Sequence, residues 1–136
     1  PARRATGVKR TIATEEAPAA VGAYSQGTTT GELVFTAGQI PLTPDGELLD
    51  DALVAEQTAQ ALENVMGVLA AEDAGPADVL KVTVFLADID DFDEMNETYA
   101  TFFDDEPPAR SAVQVGALPK GVAVEIEAID AVPDAA

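Results

Sequence analysis

The sequence predicts an α+β fold in which six strands and two helices follow one another in the order βββαβαββ. Two segments repeat apolar residues at the spacing of a helix, while the others alternate apolar and polar residues as half-buried strands do. Clusters of Gly and Pro separate these segments. We expect both helices to cover the same face of one sheet.

Three short strand candidates open the chain, at 11–13, 24–30 and 33–40. Gly31-Glu32 separates the second from the third and predicts a hairpin between them. Pro44-Asp45-Gly46 then marks a loop, which ends this first group of strands.

The first helix is predicted to begin at a cap formed by Asp50 or Asp51 and to run to about Glu72. Its apolar residues share one face at helical spacing: Val54, Ala61, Leu62, Val65, Met66 and Leu69. A strand is expected at 79–86 after Gly75-Pro76. We place one alternating set on its buried side, namely Leu80, Val82, Val84 and Leu86.

The second helix is predicted to be capped by Asp90 and to end before Glu106-Pro107-Pro108. Its narrow apolar face consists of Phe92, Met95, Tyr99 and Phe102. Strands at 110–115 and 122–131 complete the order. In the last strand, Val122, Val124, Ile126 and Ala128 are expected on one face and Glu125 and Glu127 on the other.

The sheet face away from the helices keeps apolar residues, for which we name Val79, Phe85 and Ile129. A single chain would leave this patch in water. We therefore expect a homo-oligomer that buries it.

The composition of the 136 residues limits the chemistry that the chain can perform. There is no Cys and no His, which excludes thiolate nucleophiles, zinc–thiolate sites and the commonest general base. Residues 10–133 are expected to form one domain, with a flexible basic tail at 1–9 and a short tail at 134–136.

The charge is strongly negative and unevenly distributed. Four of the seven basic residues lie in the first ten positions, so the remaining body carries three bases against 25 acids, a net charge of −22. Such a surface repels nucleic acid. It indicates adaptation to a salty cell interior, where mutual repulsion is screened, with an ordinary, very soluble acidic protein as the alternative. The chain has neither a membrane-length apolar run nor the apolar core of a signal peptide, so we expect a cytoplasmic protein.

Arg110 is the most informative single residue because it is the only arginine in residues 11–136. Its guanidinium can grip a carboxylate through two parallel hydrogen bonds, or it can form a structural ion pair with one of the many acids. Glu125 and Glu127 share one strand face, and either one of them acts as a general base or positions water, or both belong to a solvated polar face. Tyr24 either contacts a ligand or packs, and Gly38 marks either a ligand contact or a bulge.

Several motifs resemble the Rid (RidA/YjgF) family of imine and enamine deaminases. The C-terminal ones are Pro108-Ala109-Arg110-Ser111 and Val124-Glu125-Ile126. The N-terminal ones are Gly22-Ala23-Tyr24-Ser25-Gln26-Gly27 and Ala37-Gly38-Gln39-Ile40-Pro41, and Met95-Asn96-Glu97-Thr98-Tyr99 lies between. The resemblance covers roughly residues 10–132.

This resemblance implies a chorismate-mutase-like fold, a homotrimer and three sites in the clefts between subunits. It implies that Arg110 binds the substrate carboxylate, Glu125 activates water and Tyr24 lines the site. It also assigns ligand contacts to Gly38 and to the backbone at Ala112, and places Asn96 beside the site. Ala112 stands where many members have Cys, and Ala37 where Ser is frequent, which bears on substrate preference.

The activity implied is hydrolysis of 2-imino acids such as 2-iminobutanoate and 2-iminopropanoate to 2-keto acids and ammonia, without metal or organic cofactor. One alternative is a protein of the same fold that binds small carboxylates without turnover. Chorismate mutase chemistry is disfavoured because a dicarboxylate substrate calls for more than one cation. RNA cleavage is disfavoured by the lack of His and by the acidic surface.

Overall fold

The computed structural model describes residues 8–133, and its elements follow the predicted order. They are β1 (Arg10–Ile12), β2 (Gly27–Thr29), β3 (Leu33–Thr36), α1 (Val54–Ala70), β4 (Val79–Leu86), α2 (Phe92–Ala100), β5 (Ala109–Gln114) and β6 (Val124–Ala131). The tail predicted at 134–136, and that at 1–9 apart from Val8 and Lys9, lie outside the described residues.

The six strands form one mixed sheet in the order β1-β2-β3-β6-β4-β5. All neighbouring pairs are antiparallel except β4 and β5, which are parallel because α2 connects them as a crossover. The predicted hairpin is the β2–β3 pair, and Gly31 in its turn has a φ of 94°. β5 lies at one edge of the sheet.

Both helices pack on one face of this sheet, as the alternation in β6 shows. Val124, Ile126 and Ala128 are buried on the helix side, whereas Glu125 and Glu127 are half-buried on the other. The core between the layers contains further large buried side chains, among them Leu62, Val65, Leu69, Val82, Val84, Leu86 and Met95. We call the opposite, helix-free side the open face. Within residues 8–133, no helix combines the length and apolarity needed to cross a membrane.

The predicted start of the first helix was wrong. Neither Asp50 nor Asp51 caps it, because α1 begins at Val54 and the Glu56 carboxylate accepts a hydrogen bond from the backbone N–H of Leu53, at 3.3 Å. This contact satisfies a donor that an upstream aspartate was expected to satisfy. The helix ends at Ala70, two residues before the predicted Glu72.

The second helix also differs at both ends. The carboxylate of Asp88, rather than Asp90, accepts the backbone N–H of residue 90 at 2.9 Å and starts a 3₁₀ turn that leads into α2. The helix ends at Ala100, so Phe102 lies beyond it and is half-buried.

One facing prediction in β4 was wrong because of a register shift between Val79 and Lys81 where β4 pairs with β6. An irregularity of this kind rotates a residue out of the alternation. Leu80 is therefore 50% exposed, and Val79, expected on the open face, is buried in the core. The strands predicted at 24–30 and 33–40 are shorter in the structure. Within 37–40, only Gln39 pairs, through an isolated bridge to Ile126.

Candidate active site

The residues predicted for the site divide between two cavities. Tyr24, Gly38 and Glu125 line a cavity of about 740 Å³, which we call the glutamate cavity. Arg110 and Asn96 line a second one of about 380 Å³, which we call the arginine cavity. Their relation within the fold decides how one site can use both.

Gly38 and Glu125 are brought together by a short stretch of pairing beyond β3. The backbone N–H of Gln39 donates to the carbonyl of Ile126 at 2.7 Å, and Ile126 N–H returns a bond to Gln39 at 3.0 Å. This bridge sets Gly38 beside Glu125. A Cβ atom at position 38 would overlap the Glu125 carboxylate, so only glycine at this position leaves room for the carboxylate.

The loop after Gly38 is fixed by a buried side chain of α1. The amide group of Asn64 donates to the carbonyls of Ile40 and Leu42, at 3.1 and 2.8 Å. Asn64 is fully buried, so these bonds hold in one position the part of the cavity wall that Ile40 and Leu42 form.

The carboxylate of Glu125 is suited to accept a proton from water. It is half-buried on the open face, and burial, followed by the nearby charge of Glu127, raises its pKa above the usual range. Within residues 8–133, no side chain donates a hydrogen bond to it or forms an ion pair with it. A carboxylate in this state is a stronger base than a fully solvated one.

Tyr24 occupies the opposite wall of the glutamate cavity on the loop between β1 and β2. Tyr24 is 55% exposed, and its hydroxyl oxygen accepts a long hydrogen bond from Val21 N–H at 3.4 Å. The loop is held by Gln26, which is 4% exposed and whose amide nitrogen donates to the carbonyls of Thr14, Ala17 and Pro18. Gln26 therefore holds the loop that carries Tyr24, while the Tyr24 hydroxyl forms only one long hydrogen bond.

Arg110 is oriented by α2 and remains free of acids. Its Nη1 donates to Oδ1 of Asn96 at 2.6 Å, and the guanidinium carbon lies 4.7 Å from the ring centre of Tyr99 and 5.3 Å from that of Phe92. The ion pair found within residues 8–133 joins Arg10 to Glu72, so Arg110 has no carboxylate partner there. Its remaining donors are available to an external anion.

The same edge strand offers a backbone donor at Ala112. The N–H of Val115 donates to the carbonyl of Leu86 in β4, at 2.9 Å. Because backbone groups alternate along a strand, Ser111 and Val113 direct their N–H groups the same way, toward β4. Ala112 therefore directs its N–H to the free edge of β5, where no strand of the described chain pairs with it.

Arg110 and Glu125 lie on opposite faces of the sheet. Arg110 pairs with Val82 and contacts α2 on the helix side, whereas Glu125 pairs with Phe85 on the open face. They are two strands and three residues apart, which corresponds to roughly 14 Å between Cα atoms. One chain alone therefore cannot bring both side chains to the same small molecule.

Sequence reasoning missed part of these surroundings. Tyr99 and Phe92 were predicted as core, but both also stack against Arg110. Their spacing of seven residues along α2, with Asn96 between them, was the available signal. Lys120 is exposed and lines the glutamate cavity.

The acidic run after β4 does not assemble a metal site. Within residues 8–133, no three acidic side chains come together so that they could hold a metal ion. One of these acids, Asp88, instead accepts a capping hydrogen bond from the backbone N–H of residue 90.

Comparisons with known proteins agree with this fold. The sequence profile of the family described as Endoribonuclease L-PSP matches residues 14–132. The 2-iminobutanoate/2-iminopropanoate deaminase of Escherichia coli K12 is 47% identical over 126 residues, covering 90% of this chain and 97% of the relative. The rat protein of the same name is 46% identical over 122 residues, covering 90% and 89%. The crystal structure of E. coli TdcF with bound serine has a TM-score of 0.85 at 46% identity, covering 92% of this chain and 99% of that one.

Proposed function

This chain belongs to the Endoribonuclease L-PSP family, which includes the Rid (RidA/YjgF) proteins, and from that premise we propose that it hydrolyses 2-imino acids to 2-keto acids and ammonia. The substrates are small ones such as 2-iminobutanoate and 2-iminopropanoate, as the names of its E. coli and rat relatives suggest. The site lies between two chains, with Arg110 and the Ala112 amide from one and Glu125, Gly38 and Tyr24 from the other.

The observation that carries this proposal is the placement of Arg110 and Glu125. Each is half-buried in a cavity, and neither is held by an ion pair among the described residues. Because they face opposite sides of their own sheet, a common site requires Glu125 of one chain to meet the β5 edge of another. A homotrimer closes such contacts in a ring and provides three equal sites.

The open face supports the assembly. Phe35 is 42% exposed and Val113 is 44% exposed, and the half-buried Phe85 and Ile129 lie between them on the same face. These side chains form an apolar surface around the polar row of Glu127, Thr83 and Ser111. Several large apolar side chains on one exposed face are normally covered by a partner. The partner proposed here is another copy of the chain.

Arg110 binds and orients the substrate. Its free donors form two parallel hydrogen bonds to the carboxylate, while the bond to Asn96 and the rings of Tyr99 and Phe92 keep the guanidinium in place. The Ala112 N–H at the strand edge gives a third donor. Fixing the carboxylate positions the adjacent C=N carbon toward the glutamate cavity of the next subunit.

Glu125 removes a proton from a water molecule as the water oxygen forms a bond to the C=N carbon. The imine nitrogen takes up a proton from solvent as the C=N double bond becomes single, which gives a tetrahedral carbon bearing hydroxyl and amino groups. Glu125 then gives its proton to that nitrogen, the C–N bond breaks with its electron pair leaving on ammonia, and the hydroxyl loses its proton to solvent to leave the 2-keto acid. One imine and one water thus yield one keto acid and one ammonia. A proton transfer of this kind contributes roughly 10²–10⁴-fold in rate.

A second candidate is carboxylate binding without turnover. It is favoured by the serine in the TdcF structure, because serine is a stable amino acid with the carboxylate but without the C=N bond. Binding alone requires Arg110, but it gives no role to Glu125, whose raised pKa makes it a stronger base. Turnover is therefore the function that accounts for both cavities.

The test is complementation between two inactive variants. Imine is generated by threonine dehydratase, and keto acid formation is compared with and without the protein at high salt. Arg110→Ala and Glu125→Gln chains are each inactive, but unfolding them together and refolding the mixture restores about a quarter of the wild-type sites, since a random trimer pairs an intact Arg110 with an intact Glu125 at that frequency. Arg110→Lys keeps the charge, lacks the fork and stays slow.

The outcomes separate the parts of the proposal. Wild-type protein that leaves the imine unchanged but still binds a small 2-keto acid would support the binding protein instead. Active wild-type protein whose variants fail to complement would contradict the shared site. Variants that retain full activity alone would remove Arg110 or Glu125 from the mechanism.

A further inference from the structure

Lys120 lies in an unusual backbone conformation on the wall of the glutamate cavity. Its φ is 58° and its ψ is 19°, in the left-handed region that non-glycine residues rarely adopt. Pro119 precedes it, and the N–H of Gly121 donates to the carbonyl of Leu118 at 3.3 Å, closing the turn around it. The surrounding turn holds this strained conformation, and such strain concentrates at functional sites.

Among the described residues that line the glutamate cavity, Lys120 is the only basic one and Glu125 the only acidic one. The two side chains form no ion pair, because the pair found within residues 8–133 is that of Arg10 and Glu72. The charge of Lys120 therefore does not neutralise the catalytic base. It remains available to an anion that enters the cavity.

The charge of the whole chain makes such a cation consequential. The body after position 10 has three bases against 25 acids, and two of those three, Arg110 and Lys120, line the two halves of the proposed site. An anionic molecule approaching this protein is repelled almost everywhere else. Two of the three positive charges therefore lie where the proposed substrate binds.

The lining of the cavity indicates what the second cation serves. Glu125 and Lys120 line the same cavity, which the β5 edge of the neighbouring chain meets in the proposed site. With the substrate carboxylate on Arg110 of that chain and the reacting carbon near Glu125, the substrate side chain can extend along the wall that carries Lys120. A side chain ending in a carboxylate would meet an ammonium there and would be shielded from the Glu125 charge.

We propose that Lys120 is a specificity-determining residue that binds the distal carboxylate of 2-imino acids with acidic side chains, such as 2-iminosuccinate. This inference rests on the proposed imine hydrolysis and extends its substrate class from small neutral side chains to acidic ones. Lys120 takes no part in the proton transfers. It acts on the affinity for one class of substrate.

The experiment compares two imines in the same assay with the full chain. A D-aspartate oxidase generates 2-iminosuccinate and a D-amino-acid oxidase generates 2-iminobutanoate, each with catalase present, and the acceleration of keto acid formation gives kcat/KM. We expect Lys120→Gln to lower the ratio of kcat/KM for 2-iminosuccinate over 2-iminobutanoate about tenfold, chiefly through KM, as for the loss of one charged hydrogen bond. Lys120→Arg restores most of the ratio.

The matched control is Lys9→Gln, which removes the same charge from an exposed position away from both cavities and leaves the ratio unchanged. An unchanged ratio in Lys120→Gln, or an equal change in the control, would overturn the proposal. So would wild-type protein that hydrolyses 2-iminobutanoate but not 2-iminosuccinate. Wild-type protein that accelerates neither imine would instead refute the proposed function itself.

Discussion

Gly38 lies so close to Glu125 that a single methyl group at position 38 would overlap the glutamate carboxylate. The bridge between Gln39 and Ile126 fixes this approach from both strands, so the backbone at Gly38 cannot easily withdraw. The Glu125 carboxylate, which is the proposed base, can therefore occupy its position only because residue 38 has no side chain.

The first prediction concerns Gly38→Ala. The new methyl group displaces the Glu125 carboxylate, so we expect kcat for imine hydrolysis to fall by on the order of 10²-fold while the fold is retained. The matched control is Gly116→Ala, because a Cβ atom at Gly116 has no heavy atom within 4 Å. Steady-state kinetics and thermal unfolding of both variants check this. Full activity in Gly38→Ala would mean that Glu125 does not need its present position.

The second prediction uses the hydrogen bond between Arg110 and Asn96. Asn96→Asp keeps the shape of the side chain but sets a carboxylate against the guanidinium, where it competes with the substrate carboxylate. We expect KM to rise by on the order of 100-fold, and by about tenfold in Asn96→Ala, which removes the orienting bond without adding a charge. Measuring KM and kcat separately distinguishes the two effects. Equal KM values in both variants would contradict competition for Arg110.

The third prediction concerns the pH dependence of the rate. Burial and the charge of Glu127 raise the pKa of Glu125, and a base works only while it is deprotonated, so activity is lost as pH falls through that raised pKa. Glu127→Gln removes a negative charge that favours protonation. We therefore expect its acid limb to move to lower pH.

The limb is read from kcat/KM against pH after subtracting the uncatalysed hydrolysis of the imine at each pH. Glu63→Gln removes a charge from an exposed position on α1 and serves as the control. A limb that stays in place in Glu127→Gln, or moves to higher pH, would show that the titrating group is not Glu125.

The sequence predicted the elements better than their relationships. Periodic patterns identified both helices and all six strands because helix and strand spacing is a local property. The register shift that exposes Leu80 depends on how β4 pairs with β6, about fifty residues away, so no local pattern contained it.

The same limit applies to the site. The family motifs indicated Arg110 and Glu125, but their placement on opposite faces follows from the strand order β6-β4-β5, which is set by packing across the whole chain. The left-handed conformation of Lys120 and its place in the lining of the glutamate cavity are visible only in the structure. Adaptation of the acidic body to salt stays a prediction.

Asp130 shows a second kind of feature that the pattern concealed, since it occupies a core position of β6 among apolar neighbours. It is fully buried, and neither carboxylate oxygen has a hydrogen-bond partner in the described chain. Burial, followed by the charge of Asp78, raises the pKa of Asp130 to about 7. The unfolded chain releases this proton near pH 4.

The last prediction follows from that difference. Between about pH 4 and pH 7 the folded protein holds a proton that the unfolded chain has lost, so the contribution of Asp130 to the free energy of unfolding falls as pH rises through this window and is constant above it. The total change is on the order of 4 kcal/mol.

Asp130→Asn keeps the shape without the charge. We expect it to match the wild type near pH 4 and to exceed its stability by up to that amount at pH 8. Chemical denaturation at a series of pH values, with the exposed Asp45→Asn as the control for removal of one charge, measures the difference. Parallel curves for Asp130→Asn and the wild type would mean that Asp130 is ionised in the folded protein at low pH or is solvated there.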